Sequence, residues 1–510
     1  IEISAMPKNR RTTQPTPSPA DVTGAALARY RPLLVEDEFE RLLAELERPL
    51  HTAIRINPLK VDPTAALQGW VERYGWQAHP VPYCPNGYWI SAWRVSPSQT
   101  IEHRLGCYYI QDAASMLPVE LFDMVGDRSP LMLDMAASPG GKTTHMIDRA
   151  GDRGLVIAND SSAARIAALR LVLAQWGAVS PAVTRFPGEN FGAWFSETFD
   201  RVLLDAPCSM QNLRSSASHP VRPITDKERS ALAVRQANLL ESALRAVKTG
   251  GQVVYSTCTL APEEDEAVLD EILRRCPNCL EIVDLSDRLP APAPALLSDG
   301  VHSFDPAVRR AARLWPHRFG TSGFFAALLV KTAPLPGSQS APPERPFERT
   351  GFETLDERNT AAVCRRLLDV YDFDLQGLLA EQDWRLLRRG RSLSVVPAGY
   401  LQWFRNLPVQ ALGLPLAEEA GSDLAPSHEW VARFSARFLA GRYSLPDEQL
   451  QAWLRGEDIR MAPSGNLPTG RVVIVQDRHG RLLGRGRVLS DRLKNLLPRG
   501  IAASGWRLGV

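Results

Sequence analysis

The sequence predicts an α/β protein whose centre is a parallel, doubly wound sheet. Short apolar runs recur between residues 106 and 331, and we take them as strands over 131–135, 155–159, 200–205, 252–256 and 324–330. Helical patterns, such as the one over 162–176, separate the early runs. Alternating strands and helices are typical of parallel sheets that carry helices on both faces. A well-marked helix before the fourth strand is the third observation that favours this fold.

Two helices of this region are marked by their ends. Before the fourth strand, Thr225 and Glu228 form a capping box, and the glycines at 250 and 251 are predicted to end the helix. The apolar residues on one of its faces are Leu232, Leu239, Leu240, Leu244 and Val247. After the fourth strand, a helix is predicted to begin at Pro262, carry four acidic residues in its first turn and end near two arginines. Its charges then complement the helix dipole.

The rest of the chain divides by composition into flanking units. We predict a disordered tail over 1–22, an α+β domain over 23–105, the central α/β domain over 106–331, a Pro- and Ser-rich linker over 332–350, an α+β extension over 351–424 and a final domain over 425–510. Within the final domain, residues 471–488 have the pattern of a β-hairpin.

The composition excludes a membrane-spanning protein and a disulfide-stabilised secreted domain. Hydrophobic residues make up 44% and charged residues 23% of the 510-residue chain, which is typical of globular proteins. No apolar run reaches the ~18 residues that a membrane helix needs, and the polar, basic first residues do not resemble a secretory signal. Seven scattered cysteines favour a reducing, cytoplasmic location. A monomer is the default expectation.

Positive charge concentrates at the end of the chain. Residues 471–510 contain nine Lys or Arg and two Asp, a net +7, whereas the whole chain carries +2. Such a block predicts phosphate contacts with a nucleic acid, although a solvated basic surface is the simpler alternative. The N-terminal region around Arg55 and Lys60 is the second candidate for RNA contacts. Tryptophans such as Trp70, Trp76, Trp89 and Trp93 are expected to be packing residues, and one or two could stack on bases.

The first segment with chemical promise runs from Leu133 to Lys142. A strand leads into the small-residue loop Ala-Ala-Ser-Pro-Gly-Gly and then into a helix. Small side chains let a ligand approach the backbone, and the helix start offers unpaired N–H groups. Asp160 follows the next strand, where an acid can hold ribose hydroxyls. The sequence therefore predicts a nucleotide-like ligand at the carboxyl edge of the sheet.

The second and third segments each place a cysteine just after a strand. Cys208 follows Leu204-Asp205-Ala206-Pro207, and Cys258 follows Tyr255-Ser256-Thr257. A lone cysteine is more often a small buried apolar residue than a nucleophile. Two cysteines at the ends of two strands of one sheet indicate a reactive pair.

These three segments, in this order, resemble the Sun-type RNA cytosine-5 methyltransferases, most closely the RsmF subgroup that modifies small-subunit ribosomal RNA. The likeness covers most of the chain. Residues 53–60 (AIRINPLK) resemble the family's N-terminal signature, and 109–115 (YIQDAAS) the segment that leads into its catalytic domain. Trp315-Pro316-His317 with Gly323-Phe324-Phe325 resembles its closing strand. Residues 454–458 (LRGED) and 493–495 (LKN) resemble its C-terminal PUA-like extension.

The resemblance implies a Rossmann-like S-adenosylmethionine-dependent methyltransferase core, an N-terminal RNA-binding α+β domain and a C-terminal PUA-like RNA-binding domain. The implied reaction is methylation of the 5-position of cytosine in RNA, with 16S rRNA or the assembling 30S subunit as partner and no metal. Cys258 matches the nucleophile and Cys208 the release cysteine, with Asp205 and Lys142 completing the catalytic set. The implied contacts of S-adenosyl-L-methionine are Ala136, Ala137, Ser138, Pro139, Gly140, Gly141, Lys142, Asp160 and Asp205.

Covalent catalysis explains why such an enzyme has two thiols. Carbon 5 of cytosine is a poor nucleophile, but a thiolate that adds to carbon 6 produces an enamine that can accept a methyl group. The enzyme must then lose the carbon-5 proton and expel the thiolate, which a second thiol can assist. A carboxyl group beside the ring nitrogen, here Asp205, can donate a proton or hydrogen bond during the addition.

Two positions depart from the family pattern. The acid that usually follows the third strand and reaches the adenine is replaced by Pro187, which can neither accept that bond nor donate an N–H. Glu189 is a possible substitute. After Cys208, the usual Ser-Gly-Glu-Gly is replaced by Ser209-Met210-Gln211-Asn212, which changes the lining expected around the target base.

Other interpretations stay open at this point. A DNA cytosine-5 methyltransferase would use a Pro-Cys pair such as Pro207-Cys208, a tRNA enzyme would share the RNA-type motifs, and a ribosome-assembly factor would bind RNA without catalysis. Cys276 and Cys279 form a lone C-x-x-C motif with no second pair in the sequence. Since a structural zinc site needs four ligands, we predict a polar turn there and no metal.

Overall fold

The structure consists of four units along the chain, and the first is a small antiparallel sheet. The computed structural model describes residues 24, 27–124, 126, 128–214, 223–421, 423–460 and 467–502, and the tail predicted over 1–22 lies outside this part. The first unit comprises α1 (Glu36–Leu46), β1 (Thr52–Ile56), α2 (Pro63–Tyr74), β2 (Gln77–Pro80), β3 (Gly87–Ala92), α3 (Ile101–Arg104) and β4 (Tyr108–Gln111). Its strand order is β2-β3-β1-β4.

The last strand of this sheet shifts a predicted boundary. β4 pairs with β1 in antiparallel register, from Ala53 opposite Gln111 to Ile56 opposite Tyr108. The N-terminal sheet therefore extends to Gln111, past the boundary predicted at 105/106. The local sequence of a strand does not specify its pairing partner, which is why composition alone misplaced this strand.

The second unit is the α/β domain. Its elements are α4 (Leu117–Glu120), β5 (Leu131–Asp134), α5 (Gly141–Arg149), β6 (Leu155–Asn159), α6 (Ala163–Trp176), β7 (Pro181–Thr184), α7 (Phe191–Trp194), β8 (Phe199–Asp205), α8 (Asp226–Ala246), β9 (Val247–Thr257), α9 (Glu266–Arg275), β10 (Leu280–Ile282), β11 (Ala312–Leu314), α10 (Pro316–Phe319) and β12 (Phe324–Lys331). The strand order is β10-β12-β9-β8-β5-β6-β7. β5 to β9 are parallel, and β12 closes the sheet antiparallel to β9. The Rossmann-like prediction is confirmed.

Helices cover both faces of this sheet because successive strand residues point to opposite sides. Leu133, Ile157 and Leu204 share one core with Leu240 and other residues of α8. Met132, Val156 and Leu203 point the other way and pack with the residues of α5 and α6. The strands are buried on both faces, as continuous apolar runs predict.

Two helix ends differ from the prediction. α8 ends at Ala246, before the glycines, and Gly250 and Gly251 lie within strand β9. α9 begins at Glu266 rather than Pro262. Glu264, Asp265 and Glu266 are all fully buried, so they do not complement the helix dipole from the surface. They bind specific partners, and the turn that holds them delays the start of the helix.

The third unit follows the linker and completes the edge of the central sheet. It comprises β13 (Glu353–Thr354), α11 (Glu357–Tyr371), α12 (Leu375–Gln382), β14 (Trp384–Arg389), β15 (Ser392–Pro397), α13 (Ala398–Trp403), β16 (Ala411–Leu412), β17 (Leu414–Ala420), β18 (Asp423–Pro426) and α14 (His428–Phe434). Its own sheet has the order β13-β14-β15-β17-β18, while β16 pairs with β7 of the central sheet. Trp430, Val431 and Phe434 of α14 pack into the core of this unit, so it continues past the boundary predicted at 424.

The fourth unit is a five-stranded sheet that includes the predicted hairpin. Its elements are β19 (Arg442–Ser444), α15 (Leu450–Leu454), β20 (Ile459–Arg460), β21 (Val472–Gln476), β22 (Leu482–Val488), β23 (Arg492–Asn495) and α16 (Arg499–Ala502). The strand order is β19-β21-β22-β23-β20. The two segments that resembled the PUA-like extension meet here, because the Asn495 side-chain amide donates to the carbonyl oxygens of Trp453 and Glu457. Across the described residues, no helix is both long and apolar enough to span a membrane.

Candidate active site

The carboxyl ends of β5 to β9 lie at one edge of the sheet and open into a cavity of about 1670 Å³. Its wall contains the loop after β5, Asp160 after β6, Asp205 at the end of β8, Cys208 just beyond it, and Cys258 after β9. The structure thus brings together every predicted site residue except Gly140. Gly140 precedes α5 with a φ of 116°, and a Cβ there would lie 3.0 Å from the side chain of Val172. It therefore shapes the loop from behind the cavity wall.

The two cysteines form a pair. The Sγ atoms of Cys208 and Cys258 are 3.2 Å apart, and both residues are half-buried on the cavity wall. The register of the sheet causes this proximity, because Asp205 at the end of β8 lies opposite Ser256 near the end of β9. A hydrogen bond with Cys258 raises the pKa of the Cys208 thiol well above its usual value, and burial raises it further.

A lysine and a carboxylate lie beside this pair. Lys142 Nζ donates to Asp205 Oδ2 at 2.7 Å, and the Ser256 hydroxyl donates to Asp205 Oδ1 at 2.8 Å. Burial alone would lower the pKa of Lys142, but the Asp205 carboxylate outweighs it, so the pKa is raised. Lys142 therefore stays an ammonium, and Asp205 is held in one orientation.

The loop after β5 fits a ligand that lies against its backbone. A Cβ on Gly141 would lie 2.8 Å from the Tyr109 ring, and one on Gly188 would lie 2.7 Å from the Leu239 side chain. Glycine is required at such close approaches. α5 has no side-chain cap at its start, which leaves its first N–H groups for a ligand. The residues present therefore fit S-adenosylmethionine, whose carboxylate and nucleoside need these partners.

Asp160 is buried at the cavity wall and also braces the loop. Its carboxylate accepts the backbone N–H groups of Ser138, at 3.3 Å, and Ser162, at 2.9 Å. Arg165 lies 3.6 Å away. The predicted acid after the second strand is therefore present, and it holds the ligand loop as well as facing the cavity.

The acid that Pro187 replaces, which would reach the adenine, is not supplied by the nearby Glu189. Gly188, next to Pro187, lines the cavity, whereas Glu189 does not. The Glu189 carboxylate accepts a hydrogen bond from Arg235 Nε at 3.1 Å. The expectation that Glu189 substitutes for the acid is therefore not supported. Arg235, its hydrogen-bond partner, lines the cavity instead.

The unusual segment after Cys208 contacts the N-terminal part of the chain. The Gln211 carbonyl accepts hydrogen bonds from the Leu260 N–H, at 3.2 Å, and the Tyr30 hydroxyl, at 3.5 Å. The Asn212 carbonyl accepts the Gly323 N–H at 2.9 Å. The segment is thus held by the N-terminal region, by the loop after β9 and by the residue before β12.

Arg55 is buried and Lys60 is half-buried, and both side chains bond within the protein, so neither cation supports the prediction that the region around them contacts RNA. Arg55 pairs with Asp148 and donates to the Gly141 carbonyl at 3.0 Å, which ties the first sheet to α5. Lys60 Nζ donates to the carbonyls of Leu105, at 2.5 Å, and Gln175, at 2.7 Å. Burial lowers the pKa of Lys60 to about 8. These contacts could not be predicted from the sequence because Asp148, Leu105 and Gln175 all lie far from Arg55 and Lys60 along the chain.

The aromatic and C-x-x-C predictions concern residues away from the cavity. Trp70 and Trp76 are core residues, whereas Trp93 is 44% exposed. Around Cys276 and Cys279, the described residues offer no third ligand atom within coordination distance. Cys84, Glu120 and His145 do converge, but Arg149 already pairs with Glu120. We therefore assign no metal to either place.

The basic end of the chain is partly neutralised by its own acids. Arg478 pairs with Asp447, Arg481 with Asp477, and Arg492 with Asp458. Strand alternation places one set of cations on a single face of the final sheet, and we call it the basic face: Arg460, Arg487, Arg492 and Lys494. Among the described residues, neither the Arg460 side chain nor the Lys494 side chain has a hydrogen-bond or ion-pair partner.

Sequence reasoning missed two polar residues that act on the site. Ser256 orients Asp205, and Glu264 bonds with the cysteine loop, its Oε2 accepting the Ser209 N–H at 2.9 Å. The signal for Glu264 is the run of four acids after Pro262, although acids at a helix start usually complement the helix dipole.

Fold and site together define a class of protein. A Rossmann-like domain with a ligand loop after its first strand, an acid after the second, and a thiol pair beside Lys142 and Asp205 has the architecture of an S-adenosylmethionine-dependent methyltransferase. The flanking units agree with this class. The family described as 16S rRNA methyltransferase RsmB/F matches residues 125–330, the N-terminal domain of 16S rRNA methyltransferase RsmF matches 25–113, and the RsmF PUA domain matches 440–502.

Full-length relatives establish the family. The chain is 31% identical over 471 residues to ribosomal RNA small subunit methyltransferase F of Escherichia fergusonii, covering 92% of this chain and 93% of that protein. It is 33% identical over 476 residues to the protein of the same name in Klebsiella pneumoniae, covering 92% and 93%. A methyltransferase homologue from Pyrococcus horikoshii aligns with a TM-score of 0.51 at 28% identity, over 60% of this chain and 99% of that chain. The chain belongs to the ribosomal RNA small subunit methyltransferase F family.

Proposed function

We propose that the protein methylates the 5-position of a cytosine in small-subunit ribosomal RNA, with Cys258 as nucleophile. The observation that carries this proposal is the pair of thiols 3.2 Å apart beside Lys142 and Asp205 in one large cavity. A DNA-type enzyme would need only one of these cysteines. A non-catalytic assembly factor would need neither.

Each side chain has a role that follows from its place. S-adenosylmethionine supplies a methyl group on a positively charged sulfur. Cys258 adds to carbon 6 of the base, which moves electron density to carbon 5. As this charge develops, the ring nitrogen takes up a proton from water, and the Asp205 carboxylate, held by Lys142 and Ser256, accepts the hydrogen bond of the resulting N–H group. At release, the Cys208 thiol passes its proton to the departing Cys258 sulfur and takes up the proton from carbon 5. The electron pair of the carbon-5–hydrogen bond then restores the double bond between carbons 5 and 6, while the pair of the carbon-6–sulfur bond returns to Cys258.

Labelled methyl transfer tests the substrate. The purified protein would be given S-adenosylmethionine and, separately, 30S subunits, naked 16S rRNA, tRNA and duplex DNA. We expect label in 5-methylcytidine from the ribosomal samples, identified by nucleoside mass spectrometry. Label confined to tRNA or DNA would assign the enzyme to another substrate, and binding without transfer would favour the assembly factor.

The cofactor loop leads to a prediction about Asp160. Asp160→Ala removes an acceptor for cofactor hydroxyls and two hydrogen bonds from the loop, so we expect S-adenosylmethionine binding to weaken by about 1–3 kcal/mol. Isothermal titration calorimetry measures the change. Asp284→Ala, which removes an exposed acid far from the cavity, is the control. Unchanged affinity in Asp160→Ala would remove this residue from the site.

The basic face leads to a prediction about RNA capture. A flipped base requires the surrounding strand to be held while it unstacks. Removing one cation that binds a phosphate lowers the salt dependence of RNA binding by about 0.7–0.9. We therefore expect Arg460→Ala/Lys494→Ala to flatten the slope by about 1.5 and leave cofactor affinity unchanged. Binding titrations at three salt concentrations measure it.

Point variants are used here because the final domain cannot be removed without damage to its neighbour. A cut at 425 would remove Trp430 and Phe434 from the core of the third unit. Arg274→Ala/Arg275→Ala is the matched control, since these arginines end α9 at the sheet edge opposite the cavity. If both double variants gave the wild-type slope, the basic face would not contact RNA.

The proposed partner is the assembling 30S subunit, and we further propose a cytoplasmic monomer. Ribosomal RNA is available in the cytoplasm. Every cysteine in the structure is a free thiol, as a reducing compartment allows.

A further inference from the structure

The two thiols of the cavity are chemically alike, yet the proposed reaction needs them to act differently. Cys258 must be the thiolate that attacks, while Cys208 keeps its proton until release. At a distance of 3.2 Å the two sulfurs share one hydrogen bond, so they can hold one proton between them. Which sulfur keeps the proton depends on the charges on either side of the pair.

A cation lies on the side of Cys258. The Lys142 ammonium interacts electrostatically with the Cys258 thiol and is anchored by Asp205. A positive charge close to a sulfur favours its thiolate form. Lys142 therefore places a positive charge on the cavity wall that Cys258 also lines.

A buried carboxylate lies on the side of Cys208. Glu264 is fully buried in the turn before α9, and its Oε2 accepts the backbone N–H of Ser209, the residue after Cys208. The Gln236 side-chain amide donates to the same oxygen at 3.0 Å and to the Pro207 carbonyl at 2.9 Å. Glu264 and Gln236 together hold the backbone on both sides of Cys208.

No cation neutralises this carboxylate within the described part of the chain. Two buried guanidinium groups are paired with other acids: Arg229 pairs with Asp226, and Arg313 pairs with Asp265 and Glu266. The second oxygen of Glu264 has no hydrogen-bond partner among the described residues. An ionised carboxylate at this place would be unscreened, and its charge would act strongly on the neighbouring Cys208.

We propose that Glu264 is a positioning residue that sets the polarity of the thiol pair. It holds the loop of Cys208 and keeps the proton on that sulfur, so that the negative charge of the pair resides on Cys258 beside Lys142. The inference rests on the proposed roles of the two cysteines and assigns the physical cause of their difference.

The surroundings of the pair agree with this assignment. The charged or titratable groups around it are Lys142 from α5, Asp205 at the end of β8, Tyr255 from β9 and Glu264. Tyr255 is uncharged at neutral pH because burial raises its pKa well above the usual value, and its hydroxyl donates to the Glu264 carbonyl at 2.5 Å. The hydrogen bond with Cys258, burial and then the Glu264 carboxylate all raise the pKa of Cys208.

Alkylation of the RNA-free protein tests the proposal. Iodoacetamide rates at Cys258 and Cys208 would be followed by peptide mass spectrometry between about pH 6 and 9, since only thiolates react. We expect Cys258 to react first in the wild type. Glu264→Gln keeps the shape and an acceptor oxygen but removes the charge, so the ratio of the two rates should fall about tenfold, as for one pKa unit.

Two further variants make the result decisive. Glu263→Gln makes the same change one residue earlier, where the side chain is partly exposed and pairs with Arg29, and should keep the wild-type ratio. Lys142→Met removes the opposing charge and should slow the reaction of Cys258, which tests the polarity even if Glu264→Gln fails to fold. Faster reaction of Cys208 in the wild type, or an unchanged ratio in folded Glu264→Gln, would overturn the proposal. Because no RNA is used, an error in the substrate assignment leaves this test intact.

Discussion

Cys258→Ala is expected to lose methyl transfer by roughly 10⁴- to 10⁶-fold, the scale on which other enzymes lose activity without their nucleophile. No thiolate then adds to carbon 6, and carbon 5 stays unreactive. Cys208→Ala should fail differently, because addition proceeds while release does not. The variant should accumulate as protein bound covalently to RNA, visible as a slow band on denaturing gels.

The other cysteines provide the control for this pair. Cys276→Ala and Cys364→Ala alter thiols that do not line the cavity and should transfer methyl groups at the wild-type rate. If the covalent band formed with Cys258→Ala and not with Cys208→Ala, the two roles would be reversed, and the site would resemble a DNA-type enzyme.

Arg313→Met is expected to cause the largest loss of stability. Arg313, Asp265 and Glu266 are all fully buried, and the guanidinium bonds with both carboxylates and with the Leu260 carbonyl at 2.9 Å. Removing the cation leaves two acids without compensation, which costs about 3–5 kcal/mol. For a domain of this size, the unfolding temperature should fall by roughly 6–20 °C.

Thermal unfolding followed by circular dichroism measures the shift. Arg310→Met is the matched control, since Arg310 lies close by in the chain and pairs with Glu281 at the surface, where such pairs contribute ~1 kcal/mol or less. Adding Asp265→Asn and Glu266→Gln to Arg313→Met should restore part of the stability. Equal shifts in Arg313→Met and Arg310→Met would show that the buried triad is not a stabilising feature.

The central sheet could be predicted from sequence because its signals are local. Buried parallel strands are continuous apolar runs, and ligand loops follow their carboxyl ends. Asp205, Cys208 and Cys258 could therefore be expected at one edge of the sheet. Their contact at 3.2 Å could not, because it depends on the register in which Asp205 lies opposite Ser256.

Features that depend on distant partners were harder to predict. Arg55 and Lys60 have the local sequence of surface cations. In the structure, Arg55 pairs with Asp148, and Lys60 donates to the carbonyls of Leu105 and Gln175. β4 joined the first sheet because β1 was available as its partner, which no local pattern specifies.

The acids after Pro262 show a third kind of limit. Glu264, Asp265 and Glu266 have the composition of a solvated helix start, and a surface role is the usual one for such a run. Only the buried partners of these acids, Ser209 and Arg313, distinguish an internal network from a dipole effect. The same acids bind the buried Arg313 and the loop of Cys208.

The measurement that tests the central claim most directly is covalent trapping on RNA that contains 5-fluorocytosine. Fluorine replaces the carbon-5 proton that must be removed before the thiolate can leave. An adduct formed through carbon 6 therefore persists, and its attachment site can be mapped by peptide mass spectrometry. We predict that wild-type protein, S-adenosylmethionine and 16S rRNA with this base give an adduct at Cys258. An adduct at Cys208, or none with an RNA that is methylated when it carries cytosine, would contradict the account.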